Sequence, residues 1–481
     1  MKPPPAAEGE QRSGASPSGR LSAIATGVAP HERRAVTLAF MCNFLLLGSY
    51  YILRPVRDTV ATVVGVGQLQ QLFTATFVGT FVASAIYAAL ASRISLARLL
   101  PGTFWFWLFN VVLFALLFRL APESHWLGAS FFVWFSVINL FMISVFWSLM
   151  VDVFSASQAT RLFALIAAGG ALGAIAGPLL TRLFVGVLGL SGMLLLAAAG
   201  FALVIVVVYL LMREKARLRA SGDDTQRSTL DHALSGTALE GFRQIFKSRY
   251  LLNQAAFILL MTWVNTVAYF CQTDLIARAY AAVSSRAQAI ADIDLVVNIC
   301  TAAILFLGLG RLVQRFGVTA GLILNPLLMV AAFLATALSP TLFMIQALQV
   351  VRRVAQYAIA RPSREICFTV VEQGDRYKAK NVIDTVVYRF GDVSSAWVQA
   401  GLRSLGYGFN GAVAVGVGAS IIWGAAAALL GKRYERLRLQ RSLGLDRSRR
   451  PAQVQLQDSA RAVGHATGVA AHASFRADRG V

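Results

Sequence analysis

The sequence predicts an all-α integral membrane protein with about twelve transmembrane helices in two six-helix halves. Three observations carry that expectation. Of 481 residues, 57% are apolar and only 67 are charged, well short of the quarter that a soluble domain typically carries. The charges are also clustered: residues 1–34, 213–247 and 432–481 hold 35 of them, and the remaining 362 residues hold 32. Between the clusters lie twelve runs of the roughly 20 mostly apolar residues that a helix needs to cross hydrocarbon.

The same arithmetic excludes other classes. A disordered chain requires low hydrophobicity. The formal net charge of +21 suggests a nucleic-acid partner, but basic and aromatic residues are not interleaved and the charge sits largely in the polar segments. Cys42, Cys271, Cys300 and Cys367 are scattered through apolar stretches without metal-ligand spacing, and the five histidines form no cluster. Disulfides, zinc, other metals, cofactors and enzymatic chemistry are therefore not expected.

In chain order, residues 1–34 are rich in Pro, Ser and Gly and read as a disordered cytoplasmic leader, because the apolar run begins too late for a simple signal peptide. The first half, 35–212, holds segments at about 35–60, 69–90, 99–120, 127–153, 160–186 and 189–212. A polar central loop, 213–248, follows. The second half, 249–431, holds segments at about 249–276, 289–310, 316–338, 340–366, 380–405 and 409–431, and residues 432–481 form a basic tail. Arg93 and Arg98, Arg213 to Arg219, Arg311 and Arg315, and Lys432 to Arg436 all fall on one side. The positive-inside rule makes that side, with both termini, cytoplasmic.

Charge within a bilayer is expensive and usually faces the bundle interior. Three clusters meet that description. In segment 1 (YYILRPVRDT), Asn43, Tyr50, Arg54 and Arg57 share one helical face, with Asp58 beside them and Pro55 interrupting the backbone bonding. Two guanidiniums on one stripe suit a phosphate or carboxylate; mutual pairing or snorkelling is the alternative. In segment 10, Arg353, Tyr357, Arg361 and Arg364 form a stripe beside Glu365, suited to an inner gate, to substrate contact, or to both in turn. In segment 11, Lys380 and Asp384, and Arg389 and Asp392, are spaced as helical pairs. Lys378 and Lys380 also fit as positive-inside anchors, whereas Asp384 and Arg389 lie deeper. Gly169, Gly173 and Gly177 in segment 5 recur every four residues, a spacing that lets helices approach closely.

The 6 + 6 plan is major-facilitator-like, with substrate expected between the halves near mid-membrane. The motif segments also resemble the nucleotide transporter family, the ATP/ADP antiporters of plastids and intracellular bacteria. ILRPVRDT is similar to that family's first-helix motif. SVFWSLMVDVFSASQATRLFALIAAGG resembles its helix 4–5 stretch, and AQYAIARPSREICFTVVEQGDRYKAKNVIDTVVYRFGDVSSA its helix 10–11 stretch. The departures are Pro55, Val56 and Arg57 in the first motif and Asp392 after Gly391 in the last. Residues 173–178, GAIAGP, also look like the core of the helix-5 antiporter signature of major facilitators.

The resemblance implies a divergent bacterial relative in the inner membrane that exchanges an anionic solute, such as a nucleotide or phosphorylated metabolite, as a monomer without nucleic acid. It implies roles for Arg54, Arg57, Asp58, Arg161, Arg364, Glu365, Lys378, Lys380 and Asp384. The competing expectation is a proton-coupled exporter of drugs, lipids or small metabolites, with Asp58, Asp274 and Asp384 as proton carriers.

Overall fold

The structure, a computed structural model, describes residues 28–122, 124–220, 238–306, 309–371 and 373–443. The expected leader lies outside these residues up to position 27, as does the tail beyond position 443.

Helix α1 (Arg33–Val64) runs through Pro55 and stops at Gly65, whose φ of 91° lies where side chains are disfavoured. A single 3₁₀ turn leads into α2 (Leu69–Ala91), followed by α3 (Leu96–Leu120) and α4 (His125–Val153). Ser124 caps α4 by accepting the Leu127 N–H at 3.3 Å. One continuous helical stretch, Ala156–Ala220, breaks at Gly189 (φ 65°, ψ −174°), giving α5 before the break and α6 after it. The expected central loop is thus helical at both ends, with α6 running on to Ala220 and a short α7 (Ala238–Lys247) preceding the second half.

The second half begins with α8 (Arg249–Ala279) and α9 (Val283–Phe306). Helix α10 (Leu309–Leu338) is interrupted at Gly317, where φ is 81°. Helix α11 comprises Leu342–Ala355, a π-helical turn at Gln356–Ala360, and Arg361–Cys367. Helix α12 repeats that construction: Gln373–Val382, a π turn at Ile383–Val387, and Tyr388–Ser404. Helix α13 (Gly408–Ser442) closes the bundle.

Among the described residues, nine helical stretches are long and apolar enough to cross a membrane. One of them is the α5–α6 pair, and α11 and α12 cross beside them despite their charges, which gives twelve passes in two sets of six. Both the start of α1 and the end of α13 lie at one end of the bundle, as do the last turns of α6, where Glu214 pairs with Arg34, and the start of α8, where Arg433 meets the Arg249 carbonyl; this is the near end, and the opposite one is the far end.

Each half has its own apolar core. One centres on large side chains such as Phe104, Trp107, Phe131, Phe146 and Phe201, the other on Phe257, Phe333 and Trp423. The first core also takes in Phe270, Ala287 and Ala396 from the second half, which marks where the halves touch. Within the first half, α1 and α5 meet backbone to backbone. A Cβ at Gly169, Gly173 or Gly177 would strike the carbonyl oxygens of Phe40, Phe44 and Gly48 respectively. The glycine spacing in α5 is therefore a packing device, and Asn43 adds a hydrogen bond from Nδ2 to the Ile166 carbonyl at 3.0 Å.

Because Gly173 has no room for any side chain, Gly173→Leu is expected to force α1 and α5 apart. Overpacking of this kind typically costs about 1–3 kcal/mol, and more when backbone is the obstacle. The variant should show a lowered melting temperature or aggregation on gel filtration in detergent, whereas Gly418→Ala, with open space around it, should behave as the parent.

Candidate functional site: a central arginine-lined cavity

A cavity of about 610 Å³ lies between the halves. It reaches from Arg57 and Tyr269, deep in the far part of α1 and α8, down to Trp147 and Arg364 close to the near ends of α4 and α11. The first half contributes Tyr50, Arg54 and Arg57 from α1, Phe73, Thr76 and Thr80 from α2, and Phe132, Ser136, Asn139 and Trp147 from α4. The second half contributes Asn265, Thr266 and Tyr269 from α8. From α11 and α12 come Arg352, Tyr357, Arg361, Arg364, Asp384, Tyr388, Arg389 and Asp392.

Six arginines and two aspartates therefore face the cavity. The α1 arginines are held in different ways. Arg57 donates from Nε to Asp58 Oδ1 at 2.8 Å and lies over the rings of Phe132 and Phe135, 5.3 and 5.9 Å from their centroids. Asp58 also accepts from the Tyr269 hydroxyl across the half interface at 3.1 Å. Arg54 lies over Tyr51 at 5.7 Å, and its nearest carboxylate is Asp294 of α9, 3.8 Å away.

On the other wall, Arg364 pairs with Asp384 at 3.1 Å and with Glu365 at 3.0 Å. Arg389 lies 3.7 Å from Asp392 and donates to the Ser136 carbonyl of the first half at 3.1 Å. Arg352 has neutral partners only: Asn265 Oδ1 and Gln349 Oε1, both at 2.7 Å, and Gln356 Oε1 at 3.3 Å. Arg361 is exposed in the cavity and has no ion pair among the described residues. Among the described residues, these two guanidiniums therefore line the cavity without an ion pair.

The residues expected from sequence divide into three groups. Tyr50, Arg54, Arg57, Arg361, Arg364, Asp384 and Arg389 line the cavity, while Asp58 stands directly behind Arg57. Glu365 and Lys380 pair with each other beside it, with the Lys380 ammonium over the Phe368 ring. Asn43 and Arg161 are elsewhere: Asn43 joins α1 to α5, and Arg161 binds Glu32 at the near end at 2.9 Å. Lys378 lies on α12, but its side chain is outside the described residues.

The expected arginine stripe of segment 10 needs one correction. Arg353 does not face the cavity; it is buried and donates to Asp294, and Arg352 takes its place. The π turn at 356–360 is the reason. An i→i+5 turn inserts one residue relative to α-helical spacing, so Arg352 and Gln356 align with Tyr357, Arg361 and Arg364. The π turn of α12 likewise sets Asp384, Thr385, Tyr388, Arg389 and Asp392 on one wall.

Asp294 was missed as well. Started at position 289, segment 8 leaves ADIDLVV near its edge; α9 in fact begins at Val283, which puts Asp294 eleven residues deep with no solvent exposure.

Polar contacts that join the halves gather in the middle and far parts of the bundle. Besides Tyr269–Asp58, Arg286 of α9 donates to the Thr62 carbonyl at 3.3 Å, and Gln288 to the Arg182 carbonyl at 3.1 Å. Arg182 pairs with Asp292 at 3.3 Å, and the Trp397 indole donates to Thr74 at 3.1 Å. Asn298 donates to the Ala174 carbonyl at 2.6 Å. The far end is therefore shut above the cavity.

Two six-helix halves closing over a polar cavity at mid-bundle define a membrane transporter of the alternating-access class. The profile of the Major Facilitator Superfamily matches residues 39–359, about two thirds of the chain, and the chain belongs to that superfamily. None of the curated proteins matches it.

Solved structures are similar in fold. A bacterial homologue of the iron transporter ferroportin, inward-facing, aligns at TM-score 0.62 and 11% identity over 83% of this chain and 98% of its own. The nucleoside transporter NupG aligns at TM-score 0.57 and 15% identity over 85% and 99%. A bacterial homologue of the human lysosomal transporter Spinster, inward-facing and unoccupied, aligns at 0.53 and 16% over 85% and 98%. At these identities the likeness shows the fold, and the chemistry of the cavity is this chain's own.

Several ion pairs lie at the near end, and one of them ties the residues before α1 to the bundle. Residues 28–32, which the sequence assigns to the leader, pack against α5: Glu32 is buried and accepts from the Ala29 N–H, from Gln158 and from Arg161 at 2.9–3.0 Å. Burial alone would raise its pKa, but the three hydrogen bonds and the Arg161 charge outweigh it and hold the carboxyl below its ordinary range. A depressed carboxylate pKa stabilises the fold above the unfolded value of about 4.3. That contribution is lost as the pH falls through the lower, folded value. Glu32→Gln should therefore lower the melting temperature at pH 7, and the gap from the parent should close as the pH is taken below about 4.

Proposed function

We propose that the chain is a secondary transporter of an anionic organic solute, a nucleotide or phosphorylated metabolite, which it moves by exchange across a bacterial inner membrane. On this reading both termini and the near end face the cytoplasm. The observation that carries the proposal is the charge of the cavity: six arginines against two aspartates, with Arg352 and Arg361 in no ion pair among the described residues.

A guanidinium kept out of bulk water with only amide partners holds an unspent charge, and its planar donor set fits phosphate or carboxylate two bonds at a time. Arg352, Arg361 and Arg364 lie along one wall, and Arg54 and Arg57 on the facing helix. An anion between them would touch both halves. The opposite wall offers rings and neutral hydrogen-bonding groups, including Phe73, Trp147, Asn139 and Ser144, which suit the organic part of such a solute. The resemblance of α1, α11 and α12 to nucleotide exchangers points the same way.

Of the proton carriers expected from sequence, Asp58 pairs with Arg57, Asp274 with Arg278 at 2.7 Å and Asp384 with Arg364 at 3.1 Å. A further carboxylate that could serve the proton-coupled alternative is Asp392, which is buried, faces the cavity and accepts from Thr266 at 3.1 Å. Its neighbour Arg389 supplies a counter-charge, so Asp392 is matched where Arg352 is not. The anionic reading therefore has the stronger support.

Proteoliposomes loaded with ADP are expected to take up labelled ATP, and uptake should persist when a protonophore is added. Removing a buried charge contact typically costs roughly 2 kcal/mol or more, about 30-fold in apparent affinity. Arg352→Ala and Arg361→Ala should each reduce exchange by that order, while Arg161→Ala should leave the apparent affinity unchanged. Uptake that follows an imposed pH gradient and needs no internal ADP would favour the proton-coupled reading.

A further inference from the structure

At the cavity wall, three charged groups from both halves meet, two of them buried behind it. Arg353 of α11 donates from Nη1 to Asp294 of α9, and Arg54 of α1 lies 3.8 Å from the same carboxylate oxygen. Asp294 is fully buried, Arg353 is 4% exposed, and only Arg54 reaches the cavity. Two positive charges thus share one negative charge. The sharing is incomplete, because Asp294 Oδ2 and Arg353 Nε and Nη2 have no hydrogen-bond partner.

From this geometry we infer that Asp294 is the positioning residue that makes transport an obligatory exchange, by tying the empty cavity to a shut far end. The inference rests on the anionic-solute reading above. Asp294 and Arg353 belong to the second half, whereas Arg54 belongs to the first. If the halves separate at the far end while the cavity is empty, Arg54 loses the carboxylate that faces it. A charge left buried without its partner is strongly unfavourable.

An anion entering the cavity reverses that balance. It supplies Arg54 with a counter-charge of its own, and Asp294 keeps Arg353 as a one-to-one pair inside the second half. The three charges of this cluster are then matched without a tie between the halves, so opening the far end no longer parts Arg54 from its counter-charge. Occupied carriers reorient and empty ones do not, which is the condition for exchange. Ligand binding shifts such an equilibrium only as far as its affinity differs between the two states, and the shared carboxylate supplies that difference.

Other groups facing this site come from every packed element. Tyr51 of α1 lies under Arg54, 5.7 Å from its guanidinium, and Tyr50 of α1 and Tyr357 of α11 line the cavity with Arg54. On α9, Asp292 is directed to Arg182 instead. Asp294 is therefore the carboxylate that the structure places within ion-pair distance of Arg54.

The test reads opening of the far end without any transported solute. Thr62 is 6% exposed, lies near the far end of α1 and is covered by Arg286. Thr62→Cys is introduced into the full chain with the four native cysteines replaced. Labelling of the purified protein by a bulky hydrophilic maleimide is then followed in the absence of ligand.

In this background Asp294→Asn is expected to raise the labelling rate at least fivefold. The double variant Asp294→Asn/Arg353→Gln leaves Arg353 no uncompensated charge and serves if the single variant fails to fold; it should do the same. Glu32→Gln, which breaks a tie inside the first half, should remain within twofold of the background. Labelling of a monodisperse Asp294 variant within twofold of the background overturns the inference. In proteoliposomes the Asp294 variant should also release labelled ADP without external nucleotide, whereas the parent requires it. Because the labelling arm contains no nucleotide, failure of ATP/ADP exchange in the parent would sink the substrate reading and leave the Asp294 result to stand or fall by itself.

Discussion

A guanidinium stays charged at every physiological pH, so each arginine placed inside a bilayer must be given water, a carboxylate, a ring face or a set of neutral acceptors. That constraint organises the centre of this protein. Arg57 receives Asp58 and two phenylalanine faces, Arg364 receives Asp384 and Glu365, and Arg353 receives Asp294. Arg352 receives three side-chain amides, which solvate it without cancelling its charge. The positions that must remain available to a solute are those where hydrogen bonds are supplied and counter-charge is withheld.

The backbone is adapted to the same end. A strict α-helix would set Arg353 in line with Tyr357, Arg361 and Arg364, and Arg352 would turn away from the cavity. The π turns at 356–360 and 383–387 shift α11 and α12 by one residue beside their most charged sequences. The shift lets one helix serve two purposes: Arg352 faces the cavity, and its neighbour Arg353 turns behind the wall to Asp294. Two adjacent arginines thus divide the roles of open site and buried tie, which accounts for their standing side by side in α11.

Much of this was legible in the sequence. Clustered charge and apolar run lengths suffice for twelve passes and two halves, because the bilayer imposes both. The arginines of segments 1, 10 and 11 stand out for the same reason, and most of them line the cavity. What the sequence does not carry is helical phase and exact start. A π turn has no composition that distinguishes QYAIA or IDTVV from an α-helical run, so the stripe through Arg353 was one residue out. Asp294 was hidden by a helix start six residues later than the real one. Asn43 and Arg161 share sequence features with site residues, but they serve packing and the near-end tie, a distinction that depends on which helix each one faces.

The two halves also differ in how they hold charge, and this bears on how such a carrier works. Within the cavity the second half brings four arginines with Asp384 and Asp392, whereas the first brings Arg54 and Arg57 with no carboxylate of its own in the lining. Asp58 serves Arg57 from behind and is itself held by Tyr269 of the second half. Arg54 must look across the interface to Asp294. The charge balance of the first half is therefore completed by the second, or on the proposed function by the solute. A pair of halves each neutral by itself would gain nothing electrostatically from an anion between them. The deficit on α1 links occupancy to movement, because the same guanidinium that would grip the solute is the one that the empty protein satisfies by staying shut.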